Sequence, residues 1–265
     1  MKEGAGMNKP VSQENIARFS GYTDVYNAAR PVPPEVIKQS ILLYASTPQV
    51  VVDIGSGTGL STQIWQGVAP QIIGIEPNDD MRNAAQPSEG IEYRAGYSNE
   101  TGLPDACADI VTISQAFHWM DIDSTLEEVH RILKPGGMFA VYDCDWPPAV
   151  HWQVELGYKA LQSKCDALNF AQEKHATRND KGSYIARFNA FGKFKFVKEV
   201  VCHSVEPCTP ERMIGIALSQ GAIQDALKLG APVQPDIDDF CKLVRAHCPA
   251  QFEIMFSYRL RLGMK

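Results

Sequence analysis

The sequence predicts an α/β protein with an open, mostly parallel β-sheet and helices on both faces. Two observations support this fold class. Short apolar runs alternate with helix-like segments from about residue 49 to residue 143, and such alternation is typical of a parallel sheet. Apolar residues make up 45% of the 265 residues and charged residues 21%. This is a globular balance that excludes a disordered or collagen-like chain.

The first elements follow from local patterns. A helix is predicted to begin at Pro33-Pro34-Glu35, because proline is tolerated in the first helical turn, and to end at Thr47-Pro48. Four segments are short and apolar enough to be buried strands: 50–54, 72–75, 91–95 and 109–114. Leu60, Ile64 and Val68 recur every four residues and predict a helix after the first strand.

The later elements continue the alternation and then depart from it. Ser124 and Glu127 form a capping-box pattern that predicts a helix start, and a fifth strand is expected over 138–143. Beyond residue 148, helices are expected over 150–175, 210–229 and 235–248, and strands over 194–205 and 252–262. We expect these two strands to complete the sheet and the helices to cap its strand ends.

Charge and cysteine content limit the possible functions. The net charge of −6 disfavours nucleic acid as a partner, because phosphate contacts supply most of that affinity. No apolar run approaches the roughly 18–20 residues that span a bilayer, so no membrane partner is expected, and we find no secretory signal. The seven cysteines form no Cys-x-x-Cys pair, which argues against a zinc ribbon or a disulfide framework and favours a cytoplasmic protein.

The strongest motif is a glycine loop directly after the first strand. Its sequence is Gly55-Ser56-Gly57-Thr58-Gly59, and such glycines let a ligand approach the backbone closely. Glu76 ends the next strand, where a carboxylate can accept hydrogen bonds from ribose hydroxyls. The glycine spacing differs from the G-x-G-x-x-G of dinucleotide sites. Asp53 beside the loop would repel a pyrophosphate but suits an amino-acid or sulfonium group.

These residues resemble the class I S-adenosylmethionine-dependent methyltransferases over roughly residues 18–145. Four segments carry the resemblance: 51–59, 74–77 with Met81, 102–111 and 132–137. The resemblance implies a Rossmann-like seven-stranded sheet, mostly parallel with an antiparallel last strand, and S-adenosyl-L-methionine as the methyl donor. It also implies an N-terminal lid segment and helix (1–45), a cofactor-binding core (46–146), and a part with helical cap insertions and the last strands (147–265).

The resemblance further implies which residues bind the cofactor. The candidates are Tyr26, Arg30, Asp53, Gly55, Ser56, Gly57, Gly59, Glu76, Pro77, Met81, Ser98, Asn99 and Gln115. The glycines would approach the methionine part and Asp53 its amino end, while Glu76 would hold the ribose. Pro77 and Met81 would flank the adenine. The acidic residue that often binds the adenine amine has no clean match, so Ser98 and Asn99 are both candidates.

A finer similarity concerns a subgroup that includes the trans-aconitate methyltransferases. It is carried by Phe19, Tyr22, Tyr26 and Arg30-Pro31 together with the segment 115–119. In that subgroup the N-terminal tyrosine and arginine lie over the cofactor. Arg30 would then pair with the cofactor carboxylate, or else it forms a surface salt bridge.

The acceptor pocket is expected to contain Tyr22, His118, Trp119, Asp145 and Trp146. His118 is the candidate catalytic residue, a general base where the acceptor must lose a proton, and its alternative is a structural histidine beside Trp119.

The expected activity is in-line methyl transfer to a small molecule. The alternatives are a cofactor-binding protein without transferase activity and a methyltransferase of macromolecules. Nucleic-acid N-methyltransferases usually carry Asn/Asp-Pro-Pro-aromatic after the fourth strand, whereas here that strand leads to Ser-Gln-Ala-Phe-His-Trp. The acceptor, its reactive atom and the oligomeric state do not follow from the sequence.

Overall fold

The computed structural model describes residues 13–21, 23–171 and 177–265. The strands are β1 Val50–Ile54, β2 Gln71–Ile75, β3 Ile91–Arg94, β4 Ala108–Ser114, β5 Leu133–Cys144, β6 Phe196–Cys208 and β7 Phe252–Met264. The helices are α1 Gln13–Ala17, α2 Thr23–Ala29, α3 Glu35–Leu42, α4 Asp79–Ala84, α5 Ile122–Ile132, α6 Trp152–Phe170, α7 Tyr184–Phe191, α8 Pro210–Leu218, α9 Gly221–Lys228 and α10 Gln234–His247. None of the helices within these ranges is long and apolar enough to cross a membrane.

The seven strands form one sheet in the order β3-β2-β1-β4-β5-β7-β6. Strands β1 to β5 pair in parallel, whereas β7 is antiparallel to both β5 and β6. The predicted seven-stranded, mostly parallel sheet with an antiparallel last strand is confirmed. The strand order reverses between β1 and β4, and ligands of open α/β sheets bind at the carboxyl ends of the strands at such a point.

The central strands are apolar on both faces because two hydrophobic cores enclose the sheet. Val51 and Ile110 belong to the core shared with α3, α6 and α8 to α10. Val52 and Val111, their chain neighbours, belong to the core shared with α5 and α7. Successive side chains of a strand point to opposite faces, so β1 and β4 appear in the sequence as continuous apolar runs. The two cores hold the carboxyl ends of β1, β2 and β4 at one edge of the sheet.

The prediction of a helix after the glycine loop is wrong. The segment forms only a 3-10 turn over Gln63–Trp65. The hydroxyls of Ser61 and Thr62 donate to the buried carboxylate of Asp53, which ties this segment to the end of β1. Within residues 55–70, which the structure describes, no regular helix directs its N-terminus at the loop.

Other helix boundaries also differ from the predictions. Helix α5 begins one turn before the predicted capping box, because the Asp121 carboxylate accepts a hydrogen bond from the Ser124 N–H at 3.0 Å. The helix predicted over 210–229 is divided into α8 and α9, since Gln220 has an extended backbone with ψ 131°. Helices α1, α2, α4 and α7 were not predicted from the sequence.

Candidate active site

A cavity of about 390 Å³ opens at the carboxyl ends of β1, β2 and β4. This volume lies within the range of roughly 300–1,000 Å³ that is typical of small-molecule sites. The predicted cofactor and pocket residues that line it are Tyr26, Gly55, Gly57, Glu76, Pro77, Met81, Ser98, Asn99, Gln115 and Trp119. We call it the main cavity.

Glu76 and Asp121 are the acidic residues that line the main cavity within the described ranges. One carboxylate oxygen of Glu76 accepts the Gly57 N–H at 2.9 Å, and the other accepts the Asn78 N–H at 2.8 Å. Burial raises the pKa of Glu76, and these two hydrogen bonds oppose the rise. A carboxylate offers about four acceptor positions, so Glu76 keeps acceptor capacity for hydroxyls of a ligand.

Gly55 and Gly57 form the floor of the main cavity beneath Glu76. Their φ angles are +71° and +54°, values in the left-handed region that favours glycine. A Cβ added to Gly55 would lie 2.7 Å from the Cβ of Ala116, so a side chain at this position would collide with the segment after β4. The floor is therefore open backbone that a ligand can approach.

The wall beyond Glu76 changes from apolar to polar. Pro77, Met81 and Met120 supply apolar surface, and Ser98 and Asn99 lie at the same cavity. The Ser98 hydroxyl is 2.8 Å from that of Thr125. The arrangement is an apolar slot with polar groups beside it.

Asp53 lies behind the glycine loop. Its carboxylate is fully buried and accepts hydrogen bonds from the hydroxyls of Ser61, Thr62 and Thr112, each at 2.7 Å. Burial raises the pKa of Asp53, and the three hydroxyls oppose the rise. This carboxylate ties the segment after the loop to β4. The contact of Asp53 with the amino end of a cofactor, directly or through water, stays a prediction. Gly59 also lies away from the cavity, packed against the ring of Tyr93.

A smaller cavity of about 50 Å³ continues past the loop, with Ser56 in its wall. The guanidinium of Arg30 lies over the rings of Tyr26 and Trp146, at 4.9 and 4.7 Å from their centroids. Arg30 donates to the hydroxyl and carbonyl oxygens of Ser219 at 2.9 and 2.8 Å. Within the described ranges, no carboxylate lies within 4.0 Å of this guanidinium. The structure thus does not support the surface salt bridge considered for Arg30.

A third cavity of about 110 Å³, which we call the second compartment, lies beside the main cavity. It shares five lining residues with the main cavity: Phe19, Tyr26, Gln115, Trp119 and Arg178. His118 and Trp146 also line it. The predicted catalytic residue and two predicted pocket residues are thereby brought together.

His118 is buried in the wall of the second compartment, with 8% of its surface exposed. Its Nδ1 lies 3.7 Å from an oxygen of Asp143, which is too far for a hydrogen bond. Burial first, and then the charges of Lys181 and Arg178 together with more distant arginines, lower the pKa of His118 well below its usual value. The imidazole is therefore neutral at pH 7. Asp143 instead pairs with Lys181 at 2.9 Å and with Arg261 at 3.3 Å.

Gln115 lines all three cavities. Its φ of +54° is unusual for a residue other than glycine. The backbone N–H donates to the Tyr142 carbonyl at 3.0 Å, and the side-chain amide donates to the sulfur of Cys144 at 2.7 Å. Strained backbone of this kind is concentrated at functional sites.

Two predicted pocket residues lie elsewhere or cannot be placed. Asp145 follows the end of β5, and its half-exposed carboxylate lies 3.3 Å from Arg259, so it is corrected to a surface ion pair outside the three cavities. Tyr22 lies outside the described residues.

Sequence reasoning missed the contacts that close the main cavity. The Asn15 amide donates to the carbonyls of Trp119 and Thr177 at 2.9 and 3.0 Å, and the Thr177 N–H donates back to Asn15. The Asn179 amide donates to the Met120 carbonyl at 2.8 Å. These residues are more than 50 positions apart in sequence, and no local pattern signals that they meet.

Comparison with known proteins agrees with this geometry. A family model described as a methyltransferase domain matches residues 52–141. An uncharacterized methyltransferase of Mycobacterium tuberculosis is 30% identical over 143 residues, which are 52% of this chain and 57% of that protein. The malonyl-[acyl-carrier protein] O-methyltransferase of Yersinia pestis is 29% identical over 141 residues, which are 51% of this chain and 53% of that protein.

The similarity to solved structures extends over most of the chain. A protein of Anaeromyxobacter dehalogenans, described as a candidate type II methyltransferase, has a TM-score of 0.64 at 18% identity and covers 89% of this chain and 97% of its own. At 18% identity this structural similarity shows a shared fold and nothing more. The chain spans about half the length of the curated relatives it matches. Residues 52–141 therefore match a methyltransferase domain, and the chain shares the fold of the Anaeromyxobacter dehalogenans protein.

Proposed function

We propose that this protein transfers a methyl group from S-adenosyl-L-methionine to a small-molecule acceptor by in-line displacement. The observation that carries the proposal is the main cavity. There, Glu76 with spare acceptor capacity faces a floor of glycine backbone. The second compartment lies directly beside it and gives an acceptor a place next to the cofactor.

The residues of the main cavity fit the cofactor. Glu76 can accept hydrogen bonds from both ribose hydroxyls, and Pro77 and Met81 offer apolar surface to the adenine. Ser98 and Asn99 are the polar candidates for the adenine amine. Arg30, which has no carboxylate partner among the described residues, would pair with the carboxylate of the methionine part.

The cofactor, when bound, supplies a methyl carbon already activated by its sulfonium group. The protein's own task is to orient the acceptor and to exclude water. Asn15 and Asn179 hold two distant segments against Trp119 and Met120, which covers the main cavity. We propose the N-terminal segment 1–45 as this lid, residues 46–146 as the cofactor-binding core and 147–265 as the cap with the last strands.

His118 is positioned to contact the acceptor. Its lowered pKa makes it neutral but only weakly basic. It can accept a hydrogen bond from an acceptor without carrying charge, and it acts as a base only where the nucleophile starts protonated. Trp119 and Trp146 provide apolar surface for the acceptor body. The free thiols of all seven cysteines suit a reducing compartment, so we place the protein in the cytoplasm.

Calorimetry with S-adenosylmethionine, S-adenosylhomocysteine and NAD tests the cofactor assignment. We expect binding of the first two in the micromolar range, about −8 kcal/mol, and none of NAD. Binding of NAD alone would overturn the assignment.

Incubation of the protein with methyl-labelled cofactor and cell extract, separated by molecular mass, tests the acceptor. Label in the low-mass fraction supports the proposal. A macromolecular acceptor is the second candidate, because the Yersinia pestis relative is named for a carrier-protein substrate, and label in protein would favour it. Binding without any transfer would indicate a cofactor-binding protein.

A further inference from the structure

The second compartment presents mainly positive charge to its interior. Arg18, Arg30, Arg178 and Lys181 line it, whereas Asp166 is the single acid among its lining residues within the described ranges. The carboxylates that pair with Arg18 and Lys181 belong to Asp225 and Asp143, and neither of these lines the compartment. The negative charges therefore lie behind the cations, and a ligand meets the cationic side.

The basic side chains at this compartment differ in how firmly they are held. Arg178 is 59% exposed and 3.8 Å from Asp166, so its ion pair is loose. Lys181 is 30% exposed and directs its ammonium group at Asp143 and, at 3.4 Å, at the Gln115 side-chain oxygen. Arg178 is long and mostly exposed and can turn toward an anion at small cost. Lys181 is held by the buried Asp143 carboxylate and by Gln115, and its ammonium group keeps a third N–H for a ligand.

A second observation also points to a ligand. His118 is buried in the compartment wall, and its Nδ1 has no hydrogen-bond partner in the part of the chain that the structure describes. An unsatisfied buried polar atom costs stability, and a bound ligand can supply its partner. Trp119 and Trp146 add aromatic surface beside it. The compartment thus offers an apolar wall, a vacant hydrogen-bonding position and two cations with N–H groups to donate.

We propose that the methyl acceptor is a small acid with an apolar body, and that the second compartment recognises its carboxylate through Arg178 and Lys181. The proposal rests on the proposed function and names its substrate class. The volume of about 110 Å³ limits what the compartment can enclose to a small molecule or a small group of one. Arginine and lysine form charge-assisted hydrogen bonds with carboxylates that are roughly twice as strong as neutral ones.

Three probes of the same size test the charge preference. We would measure binding of benzoate, benzamide and benzylamine by calorimetry, both with and without S-adenosylhomocysteine, and include phenyl phosphate to separate carboxylate from phosphate recognition. Benzoate is expected to bind at least tenfold more tightly than benzamide and phenyl phosphate, and benzylamine least. Equal or undetectable binding of benzoate, benzamide and benzylamine would overturn the proposal, and tighter binding of phenyl phosphate would reassign the site to phosphates.

Substitutions at Arg178 and Lys181 test whether these two residues cause the preference for benzoate. Arg178→Gln and Lys181→Gln should each weaken benzoate binding by roughly fivefold or more, whereas Lys181→Arg should retain most of it. Lys195→Gln is the matched control, because Lys195 is exposed and lies outside the compartment. Unchanged benzoate binding in both Gln variants would contradict the proposal. S-adenosylhomocysteine binding is read in every variant. If S-adenosylhomocysteine still binds while the benzoate results contradict the proposal, the acceptor class is wrong and the cofactor assignment stands. Retained binding also shows that a variant has folded.

Discussion

The main cavity and the second compartment, the two halves of the site, are built in different ways. The main cavity takes its floor and its acid from two successive strand ends, between Gly55 and Glu76. The second compartment is assembled from segments as far apart as Arg18 and Gly221. The halves also differ in charge within the described ranges. Glu76, Asp121 and Arg178 line the first, whereas four basic side chains, Arg178 among them, and Asp166 line the second. A local sequence pattern can specify the first half, whereas only the folded chain brings the second together.

The largest effect should come from the acid of the main cavity. Glu76→Ala removes the acceptor for two ribose hydroxyls, and charge-assisted hydrogen bonds are worth about 1.5–3 kcal/mol each, so cofactor affinity should fall at least a hundredfold. Calorimetry with S-adenosylhomocysteine measures it. Glu76→Gln, which keeps one carbonyl acceptor, should lose less, and Ser98→Ala should lose least. Equal affinities for wild type and Glu76→Ala would mean that the ribose lies elsewhere.

Asp53 should matter for stability rather than for ligand contact. Asp53→Ala leaves the hydroxyls of Ser61, Thr62 and Thr112 buried without their shared acceptor, at a cost of about 3 kcal/mol in the free energy of unfolding. Urea titration followed by circular dichroism measures this loss. Ser40→Ala, which removes only an exposed helical contact, is the control. A variant as stable as wild type that binds no cofactor would restore Asp53 to the cavity wall.

Much of the main cavity was predictable from the sequence because the motifs that form it lie close together along the chain. The apolar strands, the glycine loop and Glu76 follow one another along the chain, and the fold keeps them together. The hydroxyl partners of Asp53 were not predicted, because Thr112 comes from β4 and lies 59 positions away in the sequence. Lys181 carries no sequence signal, and its position depends on Asp143 at the end of β5.

The pH dependence of the free energy of unfolding tests the surroundings of His118 in the second compartment. The folded-state pKa of His118 lies well below the usual value, whereas in the unfolded chain it takes up a proton near pH 6.5. Below that pH the unfolded state binds more protons, so the free energy of unfolding falls as the pH falls. Between pH 7.5 and 5.5, wild type should lose about 1 kcal/mol more than His118→Gln.

The comparison with His118→Gln is needed because His130 also has a lowered pKa and adds its own pH dependence to both proteins. Urea titrations at the two pH values provide the measurement. The variant should also keep its affinity for S-adenosylhomocysteine while its methyl-transfer rate falls, since a group that contacts the acceptor acts after cofactor binding. Identical pH dependence in the two proteins would show that His118 is not held neutral by its surroundings.

The smallest effect concerns Gln115, where the two halves meet. Its φ of +54° costs a residue with a side chain about 1 kcal/mol relative to glycine. Both Gln115→Ala and Gln115→Gly lose the hydrogen bond to Cys144, but only the glycine variant relieves the backbone. In urea titration Gln115→Gly should therefore be more stable than Gln115→Ala by about 1 kcal/mol. If the alanine variant is the more stable one, the backbone at Gln115 is not strained. The hydrogen bonds of its side chain with Cys144 and Lys181 would then have to account for its position between the two cavities.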